Sequence, residues 1–304
     1  MDRFEAMRTL LAAVDGGSLS AASRALSTPL PTVTRRISDL ETRLGVRFLV
    51  RHRRRLILTE AGEVFVAAAR RILDALSEAE RTAGGEYREP RGNLRVTAPI
   101  MFGKLHVAPI VHDFLAAYPP VTVSLILTDQ IIDLEEAHID VAIRIGPLPD
   151  SRLIARQAGK VRWTVCASPD YLRRRGEPTA PDGLPEHDCI AFEGLQRRRT
   201  WSFGEGPSET RVTIAPRFSV NTADAVVEAA AAGLGIARLM SYQVAEAIVE
   251  GRLKPLFPDQ PVRPAPVSLV YPADPVQPLK RRAFLDYVGP RLNRVLAQIE
   301  DAFR

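Results

Sequence analysis

The chain has 304 residues, 46% of them apolar and 25% charged, with a formal charge of +5. That length supplies two domains, with room for a split second one, and the composition is ordinary for a soluble globular protein. No window approaches the roughly 18–20 uninterrupted apolar residues of a membrane span, and Asp2, Arg3, Glu5 and Arg8 break up any signal-like start. A cytoplasmic protein without membrane contact is therefore expected. The two cysteines, Cys166 and Cys189, form no CxxC, and the five histidines form no HExxH or tight cluster. A disulfide frame and a metal site thus have no support, and no cofactor is expected. Both thiols read as buried, with a redox role for Cys166 as the alternative.

Charge is unevenly placed. Residues 1–60 hold eleven arginines against six acids, an excess as large as that of the whole chain. Between Glu41 and Glu60 six arginines (43, 47, 51, 53, 54 and 55) occur without an acid. A compact basic module beside a near-neutral remainder points to a polyanion partner; a merely solvated basic surface is the alternative.

Phe4, Met7, Leu10, Leu11 and Val14 recur at helical spacing and predict a first helix ended by Gly16-Gly17. Ser18 or Ser20 caps a second, with Ala21, Ala22, Ala25 and Leu26 inward. After the turn Ser27-Thr28-Pro29-Leu30, the residues Val33, Ile37, Leu40 and Leu44 make the apolar stripe of a third helix that stops at Gly45. Its other side carries Pro31, Thr32, Thr34, Arg35, Arg36 and Ser38, hydroxyls and guanidinium groups suited to base edges and phosphates. Helix, tight turn and polar helix form a helix-turn-helix. Val46–Leu49 and Leu56–Leu58 read as two short strands with the arginine run between them, a basic wing.

From Thr59 to Gly84 a helical period continues for about 25 residues, with Phe65, Ala68, Ala69, Ile72, Leu76, Ala79 and Ala83 along one stripe. That stripe needs a cover, from the same domain or from a second copy. Beyond Glu89-Pro90-Arg91-Gly92, strands and helices alternate, which argues for parallel-rich sheets flanked by helices. Strands are read at Leu94–Thr97, Val121–Leu127, Val141–Ile145, Trp163–Ala167, Phe218–Val220, Ile236–Leu239 and Val267–Tyr271. Helices are read at Leu105–Tyr118, Ile131–Ala137, Thr222–Ala232 and Leu279–Phe303. Gly233-Leu234-Gly235 is too short for a dinucleotide motif, and no nucleophile, histidine and acid stand in catalytic order.

Several phrases together resemble the LysR-type transcriptional regulators. They are Ser20-Ala21-Ala22-Ser23-Arg24-Ala25-Leu26, Pro31-Thr32-Val33-Thr34-Arg35-Arg36-Ile37, Leu40-Glu41 with Leu44-Gly45-Val46 and Phe48, and Leu58-Thr59-Glu60-Ala61-Gly62. Gly92-Asn93-Leu94-Arg95-Val96-Thr97-Ala98-Pro99, Asp140-Val141-Ala142-Ile143-Arg144-Ile145-Gly146 and Gly233-Leu234-Gly235-Ile236-Ala237 are similar to the effector domain of the same family. The resemblance implies a winged helix-turn-helix over 1–60, a dimerising linker helix and hinge over 61–88, and a two-lobed α/β domain of the periplasmic-binding-protein type over 89–304. Lobe I would take 89–161 and 267–304, and lobe II 162–266.

It further implies that Leu30, Pro31, Thr34 and Arg35 read bases and that Arg54 enters the minor groove, with Ser20, Thr32, Arg36, Ser38 and Arg53 beside them. Many members have glutamine where Leu30 stands, and Leu30 trades an adenine contact for a thymine methyl. Homodimers or homotetramers would form through Phe65, Ala69, Ile72, Leu76 and Ala79. A small-molecule effector, a carboxylate or aromatic metabolite, would sit between the lobes against Thr97, Ala98, Pro99, Ile100, Met101, Phe102, Thr128, Arg144, Ala167 and Asn221. Arg144 either neutralises an acidic effector or pairs with an internal acid such as Asp140. Double-stranded DNA is the expected partner, with RNA polymerase a further candidate. A metabolite-converting α/β enzyme with a basic appendage and a constitutive DNA binder with an idle pocket are the competing readings.

Overall fold

The computed structural model describes residues 2–52, 55–83, 89–149, 152–193, 199–204, 209–258, 264–274, 277–301 and 303. Two units emerge, Met1–Glu89 and Pro90–Arg304.

The first unit opens with helices α1 (Arg3–Asp15), α2 (Leu19–Ala25) and α3 (Leu30–Leu44). Asp2 caps α1 by accepting the Phe4 N–H, and Ser18 rather than Ser20 caps α2 by accepting that of Ala21. Ala6, Leu10 and Ala13 of α1, Ala22 of α2 and Val33, Ile37 and Leu40 of α3 form the core with Phe48 and Val66. The buried face of α1 is thus rotated from the expected one, and Phe4 is 40% exposed. Small Ala6 and Ala13 let the neighbouring helices approach closely, which a face led by Phe4 would prevent. Leu44, the last residue of α3, is exposed rather than part of the stripe, and Gly45 ends the helix in the left-handed region at φ 69°.

Strands β1 (Leu49–His52) and β2 (Arg55–Leu58) pair antiparallel from Leu49↔Leu58 to His52↔Arg55. The pairing lies further along the chain than the sequence predicted, so most of the arginine run belongs to the strands. Only residues 53 and 54 connect them; these two candidate arginines lie outside the described residues. Helix α4 (Glu60–Ala83) follows. The Thr59 hydroxyl caps it, accepting the Gly62 N–H and donating to the Arg47 carbonyl. Gly62 is required for close approach, because a Cβ there would lie 2.2 Å from the Phe48 carbonyl oxygen.

The second unit holds two five-stranded sheets. Its elements run β3 (Gly92–Ala98), α5 (Ile100–Ala117), β4 (Val121–Leu127), β5 (Val141–Ile145), β6 (Leu153–Val161), β7 (Trp163–Ala167) and α6 (Pro169–Arg175). They continue through β8 (Cys189–Phe192), β9 (Thr200–Phe203), β10 (Thr210–Thr213), β11 (Pro216–Val220), α7 (Ala223–Ala231), β12 (Ile236–Met240) and α8 (Ser241–Val249). The last are β13 (Lys254–Leu256), β14 (Ala265–Pro272) and α9 (Leu279–Asp301). One sheet has the order β4-β3-β5-β14-β6, the other β11-β8-β12-β7-β13. The chain passes between them at Arg162 and again after β13.

Helix α5 is long and apolar enough, by length and composition, to cross a membrane, yet its Phe102, Val107, Ile110, Val111 and Phe114 belong to the core of the first sheet. Its middle, Gly103–Val107, has π-type hydrogen bonding. The helix expected at Ile131–Ala137 is replaced by turns. Asp133 Oδ1 accepts the N–H groups of Glu135 and Glu136, and His138 at φ 55° closes the turn before a helix can propagate.

Candidate nucleic-acid interface and effector cleft

Helix α3 divides cleanly by face. Val33, Ile37 and Leu40 are at most 4% exposed, whereas Pro31, Thr34, Arg35 and Ser38 are exposed and Leu30 is 41% exposed. Thr32 is half-buried. The Thr34 hydroxyl donates to the Leu30 carbonyl at 2.9 Å, which leaves its lone pairs outward. Arg35 makes no hydrogen bond or ion pair among the described residues, but Arg36 is tied to Glu5 of α1 at 3.1 Å. Of the two arginines, then, one is free for a partner and the other braces the helix pair.

The first turn of α3 contains no acid and no side-chain cap, so its positive end is not neutralised from within. Ser20 is exposed at the start of α2. The turn between the helices is held by the Ser23 hydroxyl on the Thr28 carbonyl (2.7 Å) and by Ser27 at φ 48°. Glu41 positions the wing, a role no local sequence pattern marks. Its Oε1 accepts the N–H groups of Phe48 and Leu49 at 2.7 and 3.1 Å, fixing β1 against the end of α3.

Helix α4 has two apolar sides, where the sequence predicted one stripe. Gly62, Val66 and Ala69 are buried within the unit, Phe65 stacks on Phe48 with ring centroids 4.4 Å apart, and Arg70 pairs with Asp15. Ala69 is 0% exposed and cannot face another chain. Phe65 is likewise turned toward its own unit, because the core between α1, α3 and the wing needs a lid. The outward line is Val64 (66% exposed), Ala68 and Ile72 (43%), with Leu76 half-buried at its edge. The side chain of Ala79 lies outside the described residues.

In the second unit, strand direction decides which loops meet. In the first sheet β3, β4 and β5 run parallel, so residues 99–102, 128–130 and 146–147 emerge at one end. In the second sheet β8, β11 and β12 run parallel and release residues 193, 221–222 and 241 at one end. Strand β7 runs against β12, pairing Trp163 with Met240 and Ala237 with Cys166. Ala167 therefore lies at the opposite end of that sheet from Asn221, paired with Lys254 and 0% exposed. It leaves the cleft list, having been placed there as though β7 were parallel to its neighbours. Asn221 is exposed at the end where β8, β11 and β12 release their loops.

The side chains of Ala98 and Phe102 are core residues, 2% and 0% exposed, and offer no side-chain surface to a ligand. Thr97 is 1% exposed with an unpaired hydroxyl. Pro99, Met101 and Thr128 are half-buried, and Ile100 is 41% exposed. Arg144 donates to the carbonyls of Gln130 (3.2 Å) and Ile132 (2.9 Å), and burial holds its ionisation below the ordinary range. Asp140 accepts the Arg95 N–H at 2.7 Å.

Tyr242 of α8 enters the core of the first sheet, edge-on to Phe102 at 5.1 Å and to His106 at 5.9 Å. Burial lowers the His106 imidazole to about 4, so it is neutral, and its Nε2 has no hydrogen-bond partner among the described residues. Both thiols are buried, and burial pushes each up to about 12, with the Asp188 charge adding to the effect at Cys189. Neither supplies the thiolate that a redox role for Cys166 requires. Among the described residues no group of three or more metal-binding side chains occurs.

A winged helix-turn-helix, a long connecting helix and a two-sheet α/β domain with facing loop ends define a DNA-binding regulator that carries a ligand-binding module. Residues 4–63 match the LysR family of bacterial regulatory helix-turn-helix proteins, and residues 87–293 match the LysR substrate binding domain. An HTH-type transcriptional regulator of Xanthomonas campestris pv. campestris is 34% identical over 92% of this chain and 83% of its own. An HTH-type transcriptional repressor of Pseudomonas aeruginosa is 34% identical over 95% and 92%. The solved structure of CrgA, a LysR-type regulator from Neisseria meningitidis, superposes with a TM-score of 0.62 at 31% identity, covering 95% of this chain and 98% of that one. The full-length Vibrio cholerae virulence activator AphB gives 0.60 at 30% identity, over 94% and 98%. The chain belongs to the LysR family of transcriptional regulators, with a DNA-binding helix-turn-helix unit and an effector-binding domain.

Proposed function

We propose that α3 lies in the major groove of duplex DNA, with Leu30, Pro31, Thr34, Arg35 and Ser38 toward base edges and Thr32 and Ser20 toward phosphates. In this reading Arg53 and Arg54, which lie outside the described residues, reach the adjacent minor groove, and Arg36 acts through the Glu5 brace. The supporting observation is the division of α3 into a buried apolar face and an outward face whose guanidinium, Arg35, has no hydrogen bond or ion pair among the described residues. Two chains pair through the outward line Val64, Ala68, Ile72 and Leu76 of α4, presenting two recognition helices to two half-sites; pairs of such dimers would give the tetramer. The protein acts on the chromosome in the cytoplasm. An effector between the sheets biases the equilibrium between two arrangements of the paired chains, and transcription follows the favoured one.

Fluorescence anisotropy with the protein's own upstream DNA and a shuffled duplex tests the DNA reading. Preference for the upstream duplex at moderate salt, with affinity falling steeply as salt rises, is expected; equal binding of both would reject it. Ile72→Asp should lower the sedimentation coefficient toward that of a single chain, and an unaltered profile would reject the α4 interface.

A further inference from the structure

We propose that Arg162, Glu300 and Phe303 form a clasp that locks the angle between the two sheets of the second unit, and that through this angle the clasp sets duplex affinity; the second half rests on the reading that DNA binding follows the arrangement of the paired chains. The chain crosses from the first sheet to the second with one residue, Arg162, between β6 and β7. A hinge motion is taken up by the φ and ψ of the few residues at such a crossing. Here that residue is held by backbone and side chain at once. Its carbonyl accepts the Ser241 N–H at 2.7 Å, and its N–H donates to the Ser241 hydroxyl at 3.2 Å. Ser241 is buried and extends the pairing of Trp163 with Met240 by one residue. Hydrogen bonds shielded in this way are not exchanged for water unless the crossing opens.

The side chain of Arg162 is tied to the end of α9. Its guanidinium pairs with the Glu300 carboxylate and stands over the Phe303 ring, 5.9 Å from the centroid. The two charged side chains are 34% and 21% exposed, so solvent and salt screen them less than a fully exposed pair. The body of α9 stays with the first sheet, where Leu292, Leu296 and Ile299 are core residues. Phe303, just past the helix, is packed against that core and also against the core formed by β7, β8, β12, α7 and α8. Helix α8 bridges the sheets as well, with Tyr242 in the first core and Val244 in the second. Apolar contacts are non-directional, and packed helices tolerate small sliding. The ion pair and the Ser241 bonds have a preferred geometry and so favour one angle. An effector that moves the sheets shifts this preference only by binding the released arrangement more tightly.

The test is hydrogen exchange of the full, unliganded chain, read as the protection of individual amides, in the wild type, Glu300→Gln, Arg162→Gln and the double variant. Each single variant should lose protection by roughly tenfold at the amides of Arg162 and Ser241. Val96 and Ile143 in the first sheet, and Ile190 and Ala237 in the second, should keep theirs. The double variant should lose no more than either single one, because both remove the same contact. Unchanged protection at the crossing would overturn the clasp. An equal loss across both sheets would do so too, since it marks general destabilisation, as would single losses that multiply in the double variant. Anisotropy with the upstream duplex tests the second half: Glu300→Gln should alter affinity about fivefold or more, in either direction. Unaltered affinity in a variant whose crossing has loosened would overturn the regulatory role. Failure of the wild type to prefer the upstream duplex would instead reject the DNA reading, and the second half with it, while the exchange result still decides the clasp.

Discussion

Helices α3 and α5 both begin directly after a proline, Pro29 and Pro99, and neither proline supplies a side-chain cap. At α5 the protein fills the vacancy with Asp129. At α3 it leaves the first turn without an acid and places Thr34 and Arg35 outward. A helix start carries a partial positive charge and orphan N–H groups. Satisfied from within, it becomes a joint that fixes one loop to another. Left open on a basic surface, it waits for a polyanion. In the proposed reading the same local geometry serves architecture in one unit and recognition in the other, and the difference is one carboxylate.

The contrast can be broken or sharpened by experiment. The largest effect concerns the joint at α5, whose helix carries the neutral, half-buried His106. An unfolded histidine takes up a proton near pH 6.5, whereas the folded one waits until about 4. The stability that His106 contributes is thus complete above 6.5 and is lost as the pH falls toward 4, at most on the order of 3 kcal/mol. Both tryptophans, Trp163 and Trp201, lie in the second unit, so urea titrations read by their fluorescence isolate this effect. His106→Leu should flatten the pH dependence in that window; an unchanged slope would place the imidazole in water.

Next in size is Thr32→Asp, which gives α3 the internal acid that α5 has. Duplex affinity should fall by roughly 1–3 kcal/mol, about five- to 150-fold, although the helix itself should gain a few tenths. Unchanged affinity by anisotropy would mean that the start of α3 does not face the phosphates. Smaller still, Asp129→Ala should cost the second unit about 1 kcal/mol in the same urea assay, the usual loss for a helix cap. A neutral outcome would make the Ile100 contact incidental.

Legibility in the sequence followed the same division. The first unit was readable because turn and stripe agree over short range: the turn from Ser27 to Pro31 and the stripe from Val33 to Leu40 each announce their place in the fold. What sequence could not show there was which side of α4 the core would claim, since its residues are apolar on both sides and only the packing of Phe48 and α1 decides. In the second unit β6 was missed because most of its residues are exposed, so no alternation marks it. Ala167 was misplaced because strand direction depends on pairing with β12, a partner some 70 residues away in the chain. Asp129 was overlooked because its signal is a contact with Ile100 across a parallel pair of strands, and nothing in the local phrase Leu127-Thr128-Asp129 announces it.

The outward face of α3 as the DNA reader is tested most directly by Arg35→Ala, with wild type and variant titrated in parallel against the upstream duplex and its shuffled counterpart. Specific binding should fall by about 1–3 kcal/mol and non-specific binding by much less, so that the preference between the two duplexes collapses. Equal losses on both would reduce Arg35 to a phosphate contact, and no loss on either would contradict the placement of α3 in the groove.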